Sequence, residues 1–131
     1  MARSSAAPRT YQLAIETKRA MRIRVGRLGE FLFPAGLYVY TGSARRGLGA
    51  RIRRHLSSTK RLHWHIDHLL AASGARIASI SVFDEPECVV NRRTPGEIVV
   101  GGFGSSDCTS GCGSHLKLVQ RPPARRSPGK T

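Results

Sequence analysis

The sequence predicts one small α/β (α+β) domain with a small central, mainly antiparallel three-stranded sheet flanked by helices and an extra hairpin towards its N-terminus. Three observations predict it. A chain of 131 residues that is 40% hydrophobic and 6% aromatic can fill one core and hardly two. Stretches with the period of a strand alternate along the chain with stretches of helical period. Several connections between them are far shorter than the roughly dozen residues that a parallel crossover needs, so the sheet is expected to be mixed or antiparallel.

MARSSAAPRT and RPPARRSPGKT are rich in Pro, Ser and Arg and offer little to bury. Residues 1–9 and 120–131 are therefore expected to be disordered basic tails around a domain of residues 10–119. In that domain Tyr11, Leu13 and Ile15 alternate with Gln12, Ala14 and Glu16, the pattern of a half-buried strand. Residues 21–25 alternate in the same way. Turn residues follow at 26–30, and then the apolar run Phe31-Leu32-Phe33, which together predict a small hairpin ended by Pro34. Residues 37–41 are apolar or β-favouring and lie between Gly36 and Gly42, which predicts a buried strand. Tyr38 and Tyr40 point to the same face of it.

Leu48, Ile52 and Leu56 recur at i, i+4 and i+8, a single apolar stripe on a helix. Leu62, Ile66, Leu69 and Leu70 predict a second helix ending near Gly74. Residues 77–83 alternate again as a third major strand. Asp84 as a cap and Pro86 at the first position start another helix, which places Glu87 in its first turn. Beyond Thr94, glycines dominate a long ordered loop, and a last strand is expected at residues 115–119.

Charge narrows the function. Lys and Arg number 22 against 8 Asp and Glu, a formal net charge of +14. A surface so basic gains affinity for a polyanion by releasing counterions, which makes nucleic acid the expected partner ahead of an anionic membrane surface, with no membrane and no small-molecule substrate expected. Between Glu30 and Asp67 there is no acidic residue, while Arg45, Arg46, Arg51, Arg53, Arg54, Lys60 and Arg61 all fall there, so one basic face is expected. No stretch has the roughly 18 to 20 apolar residues of a membrane span, and no secretory signal opens the chain. Three cysteines, Cys88, Cys108 and Cys112, fit a reducing cytoplasm without a disulfide framework. The oligomeric state is left open.

Two groups of residues carry chemistry. Arg51 and His55 are one helical turn apart and share a face beside the Leu48 stripe. An Arg held at the edge of a core can fork onto a phosphate, although the same spacing also suits an Arg that snorkels and a surface His. His63 and Asp67 are likewise one turn apart, and the pair either caps the helix or touches a DNA phosphate through His63; Trp64 beside them either packs or stacks on a base. The second group is Cys88, Cys108, Cys112 and His115, whose spacing is loosely compatible with zinc but is not a standard finger spacing, so buried free thiols in a glycine-rich loop are the first expectation.

Tyr40-Thr41-Gly42-Ser43-Ala44, followed by Arg51 and His55, resembles the second half of the GIY-YIG nuclease signature. With GRLGEFLFPAG before it, LHWHID after it and GFGSSDC near the end, residues 10–118 look like a compact, single-domain branch of that superfamily, catalogued as a GIY-YIG-like domain of unknown function. The resemblance implies that the two motif tyrosines lie on antiparallel neighbouring strands. Tyr11 then carries the first motif and Tyr40 the second, with Tyr38 a packing neighbour. It further implies an endonuclease that hydrolyses phosphodiester bonds in DNA, less so RNA, with Mg²⁺ or Mn²⁺ as cofactor. Branched or damaged DNA in repair is the expected substrate. In the roles carried over by position, Tyr11 and Tyr40 form the tyrosine pair that activates water, Arg51 is the phosphate ligand, His55 an auxiliary proton-transfer group and Glu87 the metal ligand. Arg45, Arg46, Arg54, Lys60, Arg61 and His63 are the expected nucleic-acid contacts. A phenol can act as a base at neutral pH only if nearby positive charge lowers its pKa, and Arg51 with a bound cation is expected to do so. The alternative is a non-catalytic nucleic-acid-binding module with the same fold and basic face.

Overall fold

The computed structural model of the chain describes residues 9–44, 46–57, 61–104 and 111–122. Arg45, Lys60 and Cys108, and most of the two expected tails, lie outside the described residues.

The architecture is α+β. Strand β1 (Thr10–Thr17) leads into a hairpin of β2 (Met21–Arg24) and β3 (Glu30–Phe33), joined by a single 3₁₀ turn. Next come β4 (Gly36–Ser43), helix α1 (Leu48–Leu56), helix α2 (His65–Leu70), β5 (Ala75–Phe83), helix α3 (Glu87–Arg93) and β6 (Leu116–Gln120). The main sheet runs β5-β1-β4-β6 with every neighbouring pair antiparallel, and β2 with β3 forms a separate two-stranded sheet.

The central sheet thus has four strands where three were expected. β6 adds the fourth by pairing Leu116 with Tyr40 and Lys117 with Val39. Its own five residues announce a strand. That it joins this sheet depends on contacts across most of the chain, which local periodicity does not carry.

The alternation read from the sequence decides which side of the sheet is core. Tyr11, Leu13 and Ile15 of β1 stand opposite Gly42, Tyr40 and Tyr38 of β4, so all share one face, joined by Leu116 and Leu118 of β6. Ile66 and Leu69 of α2, Val25, Phe33, Val100 and Phe103 close over that face. Tyr38 is fully buried beside the Phe33 ring and donates its hydroxyl to the Pro34 carbonyl, which makes it a packing residue. The opposite face carries Gln12, Thr41 and Lys117, which tie it to α3: Gln12 donates to Thr41 and Thr94, and Lys117 donates to the Asn91 and Thr94 carbonyls.

Two helix details depart from the sequence reading. On α1 the inward side is Leu48, Ile52 and His55, with His55 buried and Leu56 more than half exposed. A step of i+3 from Ile52 turns inward what a step of i+4 had assigned, because 3.6 residues per turn lets the stripe drift. Asp84 does not cap α3: the cap position is Pro86 and no side chain bonds there, while Thr10 fixes the approach to the helix by donating to the Glu85 carbonyl. In α2, by contrast, Asp67 accepts from the backbone N–H groups of His63 and Trp64, so the 63/67 spacing is a cap and the His63 ring is left exposed. Leu62, expected in this helix, precedes it and is nearly half exposed. No helix of the described residues is long and apolar enough to cross a membrane.

Candidate functional site

The first residues of β1 and the last of β4 lie side by side, Thr10 opposite Ser43 and Tyr11 opposite Gly42, and this end of the sheet gathers the candidate groups. Gly42 makes the arrangement sterically feasible. A Cβ on it would lie 2.6 Å from the Tyr11 hydroxyl oxygen and 3.0 Å from the Tyr40 ring, so only a hydrogen there lets both rings approach the β4 backbone this closely. The two rings are 6.4 Å apart between centroids.

His55 reaches them from α1. Its Nε2 is 2.6 Å from the Tyr11 hydroxyl, and its ring lies 6.2 Å from that of Tyr40. One turn earlier, Arg51 donates from Nη1 to the Ser43 carbonyl at 2.9 Å. On the far side of Ser43 the hydroxyl donates to Glu87 Oε1, and Glu87 Oε2 is 2.5 Å from His115 Nδ1. Ser43 therefore links the helix carrying Arg51 with the helix carrying Glu87, through its carbonyl in one direction and its hydroxyl in the other. Trp64 supports the cationic side. The Arg51 and Arg54 guanidinium carbons lie 4.5 and 4.2 Å from its ring centroid, within cation–π range.

Tyr11, Tyr40, Arg51, His55 and Glu87 are thus brought to one end of the sheet. The expected nucleic-acid contacts divide. Arg46, Arg61 and His63 are exposed. Arg54 is engaged inside the protein: both its terminal nitrogens bond the carboxylate of the fully buried Asp67, and Nη2 also donates to the Arg61 carbonyl. Cys88, Cys112 and His115 come together beside Glu87, each offering a ligand atom within 4.8 Å of the others.

Titration behaviour follows from these surroundings. Burial pushes the Tyr11 phenol up to about 12, and the nearby Arg51 guanidinium only partly offsets it. Tyr40 is raised further, again chiefly by burial, with Tyr11 and Glu87 adding to the shift. The expectation that positive charge lowers a site phenol is therefore reversed in the protein by itself, because desolvation of the phenolate outweighs one neighbouring cation. Glu87 behaves in the opposite way. Burial works against its charge, yet hydrogen bonds from His115 and Ser43 and the charge of Arg51 hold its carboxyl below the usual range. Asp67 follows the same logic, burial being overcome by Arg54 and two backbone N–H groups.

Ser43 and Gly42 are the site residues that sequence reasoning passed over as motif spelling. Gly42 had a usable signal, since a glycine between β-favouring residues marks close approach of another group. Ser43 had none, because the carboxylate its hydroxyl meets, Glu87, lies 44 residues away.

The chain belongs to the family described as Domain of unknown function DUF123, whose model matches residues 10–128. No curated protein and no solved structure matches the chain at a significant level.

Proposed function

We propose that this DUF123 chain is a divalent-metal-dependent endonuclease of the GIY-YIG type that hydrolyses phosphodiester bonds in DNA, with branched or damaged duplexes as its substrate class. One observation carries the reading: two tyrosines, a histidine, an arginine and a carboxylate from β1, β4, α1 and α3 converge on one end of the sheet. Exposed Arg46, Arg53, Arg61 and His63 on the adjoining acid-free stretch support a polyanionic partner.

Glu87 fits a hard cation. It stays ionised, its side chain is 25% exposed, and such an ion needs only one or two protein carboxylates with water and phosphate oxygens completing its shell. A cation held there supplies charge neutralisation at the phosphate and at the leaving oxygen. The chain's own groups do the rest. Arg51 is steadied by the Ser43 carbonyl and the Trp64 face, so its remaining N–H groups can meet the charge that spreads over the phosphate oxygens in the transition state. The proton lost by the attacking water passes to His55 through the Tyr11 hydroxyl. With a pKa of about 12, Tyr11 serves as a relay that hands on one proton as it takes another, and a free phenolate is not required.

A second reading has an observation in its favour. Both Glu87 oxygens are already bonded, by Ser43 and His115, which suits a binding module that keeps the basic face without turnover. Incubating the protein with end-labelled branched and linear DNA, with Mg²⁺, with Mn²⁺ and with chelator, separates the two. The nuclease reading expects cutting that needs the metal and is lost in Glu87→Gln. Retarded but uncut DNA under every condition would leave the binding module.

A further inference from the structure

Cys88, Cys112 and His115 do not serve the phosphodiester chemistry, yet two segments distant in sequence, the start of α3 and the loop ahead of β6, bring them together. Cys88 sits in the first turn of α3, Cys112 in the loop ahead of β6, and His115 immediately before that strand. Cys112 lies between Gly111 and Gly113, whose φ angles of +72° and +81° are ones that side-chain-bearing residues rarely adopt. That loop folds back far enough for a thiol only three residues away to face the histidine ring. The ligand atoms all fall within 4.8 Å of one another.

The orientation of His115 says more than the proximity does. The residue is 1% exposed, and its backbone is fixed on both sides: its N–H donates to the Phe103 carbonyl, and its carbonyl accepts from the Thr41 N–H. Nδ1 meets the Glu87 carboxylate at 2.5 Å, and Nε2 faces the Cys88 sulfur at 4.0 Å. A carboxylate on one imidazole nitrogen, with the other turned towards thiols, is the outer-shell pattern that fixes the tautomer of a metal-binding histidine and raises its basicity.

We propose that Cys88, Cys112 and His115 form a Zn²⁺ site, with Sγ, Sγ and Nε2 as ligands and Glu87 as the residue that positions His115. Two thiolates and an imidazole select a borderline-soft ion over Mg²⁺ or Ca²⁺. Binding releases one proton from each thiol to solvent, and the two thiolate charges balance the ion. Three protein ligands leave the fourth tetrahedral position to water or to a ligand from outside the described residues. The ion ties the start of α3 to the loop ahead of β6, and it fixes one oxygen of Glu87 without depending on the nuclease reading.

The test uses the full chain. Protein purified without added metal is assayed for zinc by mass spectrometry, and chelator-stripped protein is titrated with Co²⁺. The expected results are one zinc per chain, and one equivalent of Co²⁺ giving intense tetrahedral visible bands with a thiolate charge-transfer band. Cys112→Ser abolishes the charge-balanced site and dims the thiolate band, and Glu87→Gln weakens metal affinity by about 10- to 100-fold while the bands keep their shape. Arg51→Ala leaves zinc content unchanged, so loss of cutting in that variant is distinguishable from loss of metal. Wild-type protein without zinc and without tetrahedral cobalt bands would overturn the proposal, as would a Cys112→Ser chain that binds both ions like the wild type. Should a variant fail to fold, the wild-type titration alone decides.

Discussion

Replacing Gly42 by alanine adds one methyl group at the tightest point of the candidate site. The new Cβ would lie 2.6 Å from the Tyr11 hydroxyl oxygen, 2.7 Å from its Cζ and 3.0 Å from a Tyr40 ring carbon, where ordinary contact begins near 3.4 Å. The Tyr11 ring must therefore retreat by about 0.8 Å, the gap between that contact distance and the 2.6 Å found. It has little room to do so, being 1% exposed and bonded to His55 at 2.6 Å. Inserting a methyl into a packed core costs about 1–3 kcal/mol. Misplacing a reacting group by about 1 Å can cost on the order of 100-fold in rate. Gly42→Ala is thus expected to lower the urea midpoint by an amount matching that cost, with the slope unchanged, and to cut DNA about 100-fold more slowly. The assay pairs urea unfolding with single-turnover cleavage. Unchanged stability together with a wild-type rate would refute both the packing argument and the role given to Tyr11.

Other consequences follow from the buried charges and phenols. Arg54→Ala leaves the Asp67 carboxylate fully buried with two backbone donors and no counterion, and is expected to destabilise the fold by about 3–5 kcal/mol in urea unfolding. The pH dependence has a definite sign. Asp67 and Glu87 have folded pKa values below their unfolded ones, so their stabilisation is present above about pH 4 and is lost as the pH falls through the folded values. Urea midpoints across that acid range should decline for the wild type and decline less for Arg54→Ala. The chain has three tyrosines, and burial raises all of them, Tyr11 and Tyr38 to about 12 and Tyr40 further. Spectrophotometric titration of the folded protein should show almost no tyrosinate at pH about 10, where a model phenol is half ionised. A normal tyrosinate curve in protein that is still folded would contradict the burial assigned to these rings.

Strands were the most legible part of the fold. Tyr11, Leu13 and Ile15, and again Tyr38 and Tyr40, announce a buried face by simple alternation, and the structure buries all five. Helix faces were less legible, because in a nine-residue helix Leu56 and His55 compete for the last inward position, and the chemically odder residue, His55, took it. Periodicity alone gave no long-range pairing; only the antiparallel neighbourhood of the Tyr11 and Tyr40 strands was anticipated, and that through the family resemblance. Neither the place of β6 beside β4 nor the links from Ser43 to Glu87 and from Glu87 to His115 leave a local trace, since each joins segments distant in sequence. Charge misled in one instance. Arg54 reads as one more phosphate contact in a basic run, but a buried carboxylate thirteen residues on takes both of its terminal nitrogens.

The site reading is tested most directly by the rate of DNA cleavage and the affinity for DNA, measured side by side in wild type and Arg51→Ala. An arginine that acts on the transition state should, when removed, lower the single-turnover rate by about 10²- to 10³-fold while affinity falls far less. A rate that is unchanged, or that falls only in step with affinity, would contradict a phosphodiester-cleaving site at this end of the sheet.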